Sequence, residues 1–244
     1  AKNKEAAVGS QNRTVSPNEA KSALTHCIKL QRPIMMWGAP GIGKSDIVKQ
    51  IGDSHKRDVI DIRLPLWEPT DIKGIPYYNS KENNMVWASP AELPTDPKSN
   101  AIVFLDELNS AAPAVQAAAY QLILNRRVGQ YHLPEGVSIV AAGNRDSDKG
   151  VTYRMPAPLA NRFVHIELRV DFEDWLQWAT DQHVHADVVG YCTFAKQDLY
   201  DFDPRGSSRS FATPRSWSFV SQLLSDDLPE STLTDLVAGC VGEG

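Results

Sequence analysis

The sequence predicts an α/β protein: a mostly parallel sheet covered by helices on both sides, followed by a small all-α region. Short apolar runs recur at wide intervals, and stretches of helical length separate several of them. Strands that are apolar on both faces and alternate with helices are typical of buried parallel sheets. The runs that we assign to five strands are "PIMMW" (33–37), "DVIDIR" (58–63), "AIVFLD" (101–106), "VSIVAAGN" (137–144) and "FVHIEL" (163–168).

The charge distribution indicates a domain boundary near residue 170. Residues 1–170 carry 21 Lys and Arg against 17 Asp and Glu, whereas residues 171–244 carry 4 against 13. A step from net positive to net negative charge is typical of a change of domain. We therefore expect an α/β core over 16–170 and a helical lid over 171–244, and the early stop at "GCVGEG" predicts an incomplete lid.

The amino-terminal elements follow from capping and periodicity. Residues 1–15 are polar and aperiodic, so we expect a flexible arm. Ser16 can cap a helix, and Pro17 is favoured in a first helical turn. Leu24 and Ile28 lie one turn apart on the same face of that helix.

The remaining helices are predicted from the segments between and after the strands. "KSDIVKQIGDSH" (44–55) and "APAVQAAAYQLILNRR" (112–127) have helical character within the α/β core. In the lid, "DFDPRGSSRSFA" (201–212) is predicted to be a loop. The expected lid helices are "DFEDWLQWATDQ", "ADVVGYCTFAKQDLY", "TPRSWSFVSQLL" and "LTDLVAGCV".

Composition excludes several classes of protein. Because no apolar run approaches the ~20 residues that cross a bilayer, we expect no membrane span. Three widely spaced cysteines without a Cys-x-x-Cys pair argue against a disulfide framework or a zinc site and favour the reducing cytoplasm. A net charge of −5 without a basic stripe makes a nucleic-acid partner unexpected.

The segment after the first strand has the spacing of a phosphate-binding P-loop. Gly38 is followed after four residues by Gly43, Lys44 and Ser45, between a strand-like and a helix-like segment. Small residues let backbone N–H groups approach phosphate oxygens at the positive end of a helix. Lys44 would contact the β- and γ-phosphates of ATP, and Ser45 would ligate Mg²⁺. The expected nucleotide contacts are Gly38, Ala39, Pro40, Gly41, Ile42, Gly43, Lys44, Ser45 and Asp46.

Two later strands end in residues that suit nucleotide hydrolysis. Asp106 would hold Mg²⁺ directly or through water, and Glu107 would orient and deprotonate the attacking water. Asn144 ends the next apolar run and could hold that water near the γ-phosphate, although a turn-capping role is the alternative.

Two arginines complete the candidate catalytic set. Arg162 precedes the last strand, where it could project into the site of a neighbouring subunit. Arg215 lies in the first turn of a helix after Thr213 and Pro214 and could contact the γ-phosphate. Each could instead be an ordinary surface arginine.

These features, in this order, resemble the AAA+ ATPases, with Walker A at 38–45, Walker B at 101–107, sensor 1 at Asn144, an arginine finger at Arg162 and sensor 2 at Arg215. The chain looks most similar to the MoxR group. "IPYY" and "MVWA", joined by "NSKENN", form a predicted hairpin at about 75–88 that is similar to an insertion of this group. The resemblance implies a P-loop domain with a helical lid.

The resemblance also implies a function. A homo-oligomeric ring, expected to be hexameric, would use ATP to remodel a partner that carries a von Willebrand factor A domain, or another protein client. Two alternatives stay open: a DNA-directed AAA+ motor such as a loader or helicase, and a nucleotide-dependent scaffold or switch. Stimulation of hydrolysis by DNA or by protein separates the first two, and ATP turnover tests the third.

Overall fold

The computed structural model describes residues 13–148 and 152–243 and has an α/β fold. The strands are β1 (Thr14–Val15), β2 (Ile34–Trp37), β3 (Val59–Arg63), β4 (Ile75–Asn79), β5 (Asn84–Ala88), β6 (Ile102–Asp106), β7 (Arg127–Val128), β8 (Tyr131–His132), β9 (Ser138–Gly143) and β10 (Val164–Leu168). The α-helices are α1 (Pro17–Lys29), α2 (Lys44–His55), α3 (Pro69–Lys73), α4 (Pro113–Asn125), α5 (Ala157–Ala160), α6 (Phe172–Asp181), α7 (Ala186–Phe194), α8 (Pro214–Leu224) and α9 (Glu230–Val241).

The central sheet confirms the predicted fold class. Its order is β1-β10-β2-β9-β6-β3, and every neighbouring pair is parallel. Ile34 on β2 is in register with Val140 on β9 and with Val164 on β10. The carboxyl ends of β2, β9 and β6 therefore lie side by side, and ligands of open α/β sheets bind at such an edge.

Among the described residues the central sheet has six strands, so the prediction of five was wrong. Thr14 and Val15, which we assigned to the flexible arm, form β1 and pair with Glu167 and Leu168 on β10. A strand of two residues is too short to show an alternating pattern, so its pairing partner decides its conformation. Residues 1–12 of the predicted arm lie outside the described residues.

Two hydrophobic layers cover the sheet. On one face, Met36 and Phe104 pack with Leu24 of α1 and Val48 of α2. On the other face, Met35, Val103 and Ile139 pack with Val115 and Leu122 of α4. Because both faces are buried, the central strands are apolar throughout, which is why their sequence lacks alternation.

A third hydrophobic cluster organises the helices after residue 170. Trp175 of α6, Cys192 of α7 and Trp217 of α8 are buried together. The side chain of Asp174 accepts hydrogen bonds from the backbone and side-chain amides of Asn18 at 2.8 Å each, which ties α6 to α1. The helices after residue 170 are therefore anchored beside α1.

Strands β4 and β5 form an antiparallel hairpin that is separate from the central sheet. Tyr77, Tyr78 and Met85 expose 51%, 59% and 55% of their surface. Trp87 is half-buried, and its backbone N–H donates to the side chain of Gln130 in the β7–β8 turn. The hairpin thus presents apolar side chains to solvent instead of closing them into a core.

Within the described residues, no helix combines the length and the apolar character that a bilayer crossing requires.

Candidate active site

The P-loop connects β2 to α2 and closes around the Lys44 ammonium. Gly41 and Gly43 have φ angles of +78° and +95°, which L side chains rarely adopt. The buried Lys44 Nζ donates to the carbonyls of Gly38 at 2.7 Å and Ala39 at 3.0 Å. The loop thus turns sharply around a cation at the start of a helix, an arrangement suited to phosphate.

The electrostatics of Lys44 favour an anionic ligand. Burial lowers the pKa of its ammonium to about 8, whereas the neighbouring carboxylates Asp106 and Asp148 oppose that shift. A negative charge next to the ammonium favours its charged form. A bound phosphate would therefore offset the desolvation of Lys44.

Ser45 and Asp106 supply a donor set that fits Mg²⁺. The hydroxyl Oγ of Ser45 lies 3.3 Å from Asp106 Oδ2, although 61 residues separate them in the sequence. Mg²⁺ prefers oxygen ligands and keeps several waters, so a site in an NTPase needs only one or two protein oxygens. Asp106 Oδ1 also accepts from the backbone N–H of Glu107 at 2.9 Å, which orients the carboxylate.

Glu107 follows directly in an unusual backbone conformation. Its φ of +54° lies in the left-handed region, and a 3₁₀ turn over Leu108–Ser110 begins immediately after it. Non-glycine residues in this region carry strain and concentrate at functional sites. The turn directs the chain away from β6 at the edge of the sheet where the P-loop lies.

Asn144 and Lys44 are brought together from segments that are 100 residues apart. Lys44 Nζ donates to Asn144 Oδ1 at 3.4 Å. Because β9 lies between β2 and β6, Asn144 projects from the strand end between the P-loop and Asp106. Of the predicted residues, Lys44, Ser45, Asp106 and Asn144 thus form one connected group.

The start of α8 contacts the P-loop. The backbone N–H of Arg215 donates to the carbonyl of Gly41 at 3.3 Å. Thr213 packs so closely on Gly41 that a Cβ there would lie 2.8 Å from the Thr213 hydroxyl. Arg215 also lines a cleft beside the P-loop together with Ile42, Asp46, Trp175 and Trp178. The apolar and aromatic side chains that line this cleft can accommodate an aromatic base.

Arg162 lies away from this group. The backbone N–H of Val164, two residues later, donates to the carbonyl of Pro33 at 2.9 Å, which places Arg162 at the amino edge of the sheet. The P-loop begins at the other end of β2, roughly 13 Å away at about 3.3 Å per strand residue. The exposed Arg162 is therefore far from the P-loop of its own chain.

Sequence reasoning missed the polar residues that support the site. Asn109 hydrogen-bonds the backbone of Asn144. Arg145 forms an ion pair with Asp148 at 2.8 Å and a longer one with Glu167 at 3.5 Å, linking the end of β9 to β10. The segment "NRDSD" places one arginine before two aspartates, which could have suggested a local ion pair, whereas nothing in the sequence marks Asn109.

A second supporting contact links the end of β2 to the end of α5, which precedes Arg162. Trp37 Nε1 donates to His165 Nδ1 at 2.9 Å, and the other ring nitrogen of His165 lies 2.7 Å from the carbonyl of Ala160. These distances fit the imidazole tautomer that accepts at Nδ1 and donates at Nε2. Trp37 directly precedes Gly38, and Ala160 ends α5 just before Arg162. The imidazole therefore joins the two segments.

Comparison with known proteins identifies the family. A family model for the ATPases associated with various cellular activities (AAA) matches residues 33–165, which is more than half of the chain. The chain belongs to the AAA ATPase family. The matched range contains the P-loop, Asp106, Glu107, Asn144 and Arg162, and it ends before helices α6 to α9.

Three proteins similar to this AAA chain share less than 30% sequence identity with it. It is 28% identical over 175 residues to midasin from Giardia intestinalis, a match that covers 66% of this chain and 4% of midasin. A candidate ATPase from Cytophaga hutchinsonii has a similar fold, with a TM-score of 0.50 and 20% identity over 90% of this chain and 62% of the other. A lysine-to-arginine variant of RuvB from Thermotoga maritima also has a similar fold, with a TM-score of 0.51 and 16% sequence identity. That match covers 92% of this chain and 65% of the RuvB chain. The chain thus spans a small part of midasin and less than two thirds of either structure.

Proposed function

We propose that this AAA chain hydrolyses ATP in a Mg²⁺-dependent reaction and uses the energy to remodel or activate a partner protein. One observation carries the proposal: Lys44 and Ser45 are neighbours at the start of α2, and they hydrogen-bond Asn144 after β9 and Asp106 at the end of β6, respectively. This set contains a phosphate-binding cation, oxygen ligands for a metal and a polar amide beside them. A purely structural role would not need these groups in one place.

Each residue has a defined role in the proposed reaction. The P-loop backbone and Lys44 would bind the phosphates. Ser45 and Asp106 would hold Mg²⁺, which would supply positive charge to the phosphate oxygens. Glu107 accepts the proton of the attacking water, and Asn144 orients that water by hydrogen bonding. Arg215 connects the lid to the nucleotide, because its backbone already contacts the P-loop at Gly41.

The quaternary part of the proposal rests on Arg162 and on the resemblance to the MoxR group. Arg162 is exposed at the edge of the sheet opposite its own P-loop. We infer that Arg162 acts in the site of a neighbouring chain. The proposed assembly is a homo-oligomeric ring of six chains in the cytoplasm. The proposed partner carries a von Willebrand factor A domain. The exposed apolar side chains of the β4–β5 hairpin are the proposed contact for that partner or for another client.

The proposal is tested by comparing ATP turnover of the wild-type protein with that of Glu107→Gln and Lys44→Ala. Glu107→Gln should bind ATP but lose about 10²-fold or more in turnover, because a carboxamide cannot accept the proton. Lys44→Ala should bind ATP weakly. Phosphate release measures turnover, and titration with a fluorescent nucleotide measures binding.

Two results would contradict the proposal. If Glu107→Gln turns ATP over at the wild-type rate, Glu107 is not the base. If the wild-type protein binds ATP without hydrolysing it, the chain is a nucleotide-dependent switch. Adding duplex DNA to the same assay tests the alternative of a DNA-directed motor, for which turnover should rise.

A further inference from the structure

Asn109 lies in the 3₁₀ turn Leu108–Ser110, and its side chain is held in one orientation against the end of β9. Its side chain is 2% exposed and belongs to the turn that follows Glu107. Asn109 Nδ2 donates to the backbone carbonyl of Asn144 at 2.9 Å, and Asn109 Oδ1 accepts from the backbone N–H of Asn144 at 3.2 Å. Only one orientation of the amide satisfies both bonds, so the side chain pairs with Asn144 as a neighbouring strand would.

Close packing removes the remaining freedom of this amide. A Cβ at Gly143 would lie 2.6 Å from Asn109 Oδ1 and 2.6 Å from the Cε of Met35. Real Cβ contacts are essentially never this short, so only glycine allows the end of β9 to approach Asn109. The glycine before Asn144 is therefore explained by the pairing with Asn109.

The backbone of Asn109 extends the contact to a further segment. Its carbonyl accepts from the N–H of Tyr153 at 2.7 Å. Tyr153 lies in the stretch that leads through α5 to Arg162. Asn109 thus contacts both Asn144, which follows β9, and Tyr153, which lies in the segment leading to Arg162. It also lies two positions after Glu107.

We propose that Asn109 is a positioning residue that holds Glu107, Asn144 and the segment before Arg162 in one fixed arrangement. The inference deepens the proposed ATPase function and rests on it for the catalytic roles of Glu107 and Asn144. Asn109 acts through Asn144: by fixing its backbone, it fixes where the Asn144 amide can hold the attacking water. A displacement of about 1 Å at such a group costs about 10²-fold in rate.

A matched buried amide shows what a purely structural role would look like. Gln116 is also buried, at 3% exposed, but its Nε2 donates to the carbonyl of Ala111 at 2.9 Å and its Oε1 accepts from Tyr120 within the same helix. It has no hydrogen bond to the site in the described part of the chain. Changes at Gln116 therefore control for the loss of a buried amide as such.

The kinetic test compares Asn109→Ala and Asn109→Asp with Gln116→Ala and Gln116→Glu. Asn109→Ala removes both bonds to Asn144, whereas Asn109→Asp keeps the acceptor and sets an oxygen against the Asn144 carbonyl. We expect both to lower kcat by about 10-fold to 10²-fold, with a Kd for ATP within about threefold of wild type, because the P-loop is untouched. The Gln116 variants should lower the melting temperature but leave kcat unchanged.

Combination with Asn144→Ala shows whether Asn109 acts through Asn144. If it does, the double variant Asn109→Ala/Asn144→Ala should be no slower than Asn144→Ala alone, because residues that act as a unit are non-additive. Multiplied losses, or a wild-type kcat in Asn109→Ala, would overturn the inference.

Hydrogen exchange provides a readout that does not depend on hydrolysis. Asn109→Ala should speed exchange of the Asn144 amide, which loses its acceptor, while Gln116→Ala should not. Unchanged exchange at Asn144 would overturn the positioning role whatever the ATPase result. A wild-type protein without turnover would instead overturn the proposed function, so the two failures are distinguishable.

Discussion

The carboxyl edge of the sheet and the outward-facing elements of this protein differ in how their functional groups are satisfied. At the carboxyl edge, Lys44, Ser45 and Asn144 all hydrogen-bond to other groups of the same chain. In contrast, Arg162 and the hairpin residue Tyr77 are exposed, and neither side chain has an intramolecular hydrogen bond within residues 13–148 and 152–243. The first region makes its contacts within one chain, whereas the side chains of the second are open to contact another molecule.

The physical origin of this difference is the sheet topology. Parallel strands bring their carboxyl ends to one edge, so distant residues converge there without any partner molecule. The amino ends converge as well, where Arg57 donates to the carbonyl of Gly136 and to the hydroxyl of Ser138. Arg162 at that edge and Tyr77 on the separate β4–β5 hairpin are nevertheless exposed. Mutations at the carboxyl edge should therefore affect a single chain, and those outside it should affect assemblies.

The largest expected effect is that of Arg162→Ala. Arginine fingers contribute on the order of 10³-fold or more to turnover, so kcat should fall by that amount. The Kd for ATP and the melting temperature should not change, because Arg162 is exposed and far from its own P-loop. Arg32→Ala, at the same edge of the sheet, is the control and should turn over normally.

Mixing variants tests whether Arg162 acts in trans. An equal mixture of Arg162→Ala and Glu107→Gln chains contains interfaces with both an intact base and an intact arginine. Turnover of the mixture should exceed that of either variant alone. If it does not, Arg162 has no role in a neighbouring site, and the comparison between the two regions loses its functional meaning.

Gly41→Ala should have the next largest effect, because it disrupts the contact between the lid and the P-loop. The new Cβ would lie 2.8–3.0 Å from three atoms of Thr213, and φ is positive at this position. Such strain costs about 1–3 kcal/mol, so thermal unfolding should shift down and ATP should bind more weakly. Gly190→Ala, a helical site with open space around the Cβ, should instead be neutral or stabilising. Equal melting temperatures for the two variants would contradict the tight docking of the lid.

The affinity for ATP should depend on pH through Lys44. Since burial lowers the pKa of its ammonium to about 8, the nucleotide-free protein loses the proton above that pH, while bound phosphate favours the charged form. The Kd should be constant well below pH 8 and rise by at most about tenfold per pH unit above it. Lys44→Met should bind weakly at every pH and lack this dependence.

The same shift predicts how stability changes with pH in the absence of nucleotide. The unfolded chain keeps the Lys44 proton up to about pH 10.4, whereas the folded chain releases it near pH 8. The unfolded state therefore binds more protons between these values, and this contribution to the free energy of unfolding rises with pH there. Denaturant titrations of wild type and Lys44→Met at pH 7.5 and 9.5 measure the difference.

The smallest expected effect is that of Tyr77→Ser on stability. Exposed substitutions usually change stability by no more than about 0.5 kcal/mol, so the melting temperature should hardly move. Trp87→Ala, at the half-buried position of the same hairpin, should cost more because it removes packed surface. If Tyr77→Ser is the more destabilising of the two, the hairpin closes on its own core and is not free to contact a client.

Several features were predictable because they are local in sequence. The spacing from Gly38 to Ser45 predicted a tight loop between a strand and a helix, and apolar runs ending in Asp106 and Asn144 predicted that these two side chains would lie at the same edge of the sheet. Both inferences depend on patterns of a few residues within one element. The α/β class followed in the same way from the repeated alternation of strand and helix.

Other features were decided only by the tertiary structure. The pairing of β1 with β10, the clamp of Asn109 on Asn144 and the docking of Thr213 against Gly41 all join segments that are distant in sequence. No periodicity or motif encodes such contacts, because they depend on strand order and on the path of the loops. The sequence alone determined which groups line the carboxyl edge, and the folded chain determined what holds them there, since hydrogen bonds across the sheet exist only once non-adjacent strands have been paired.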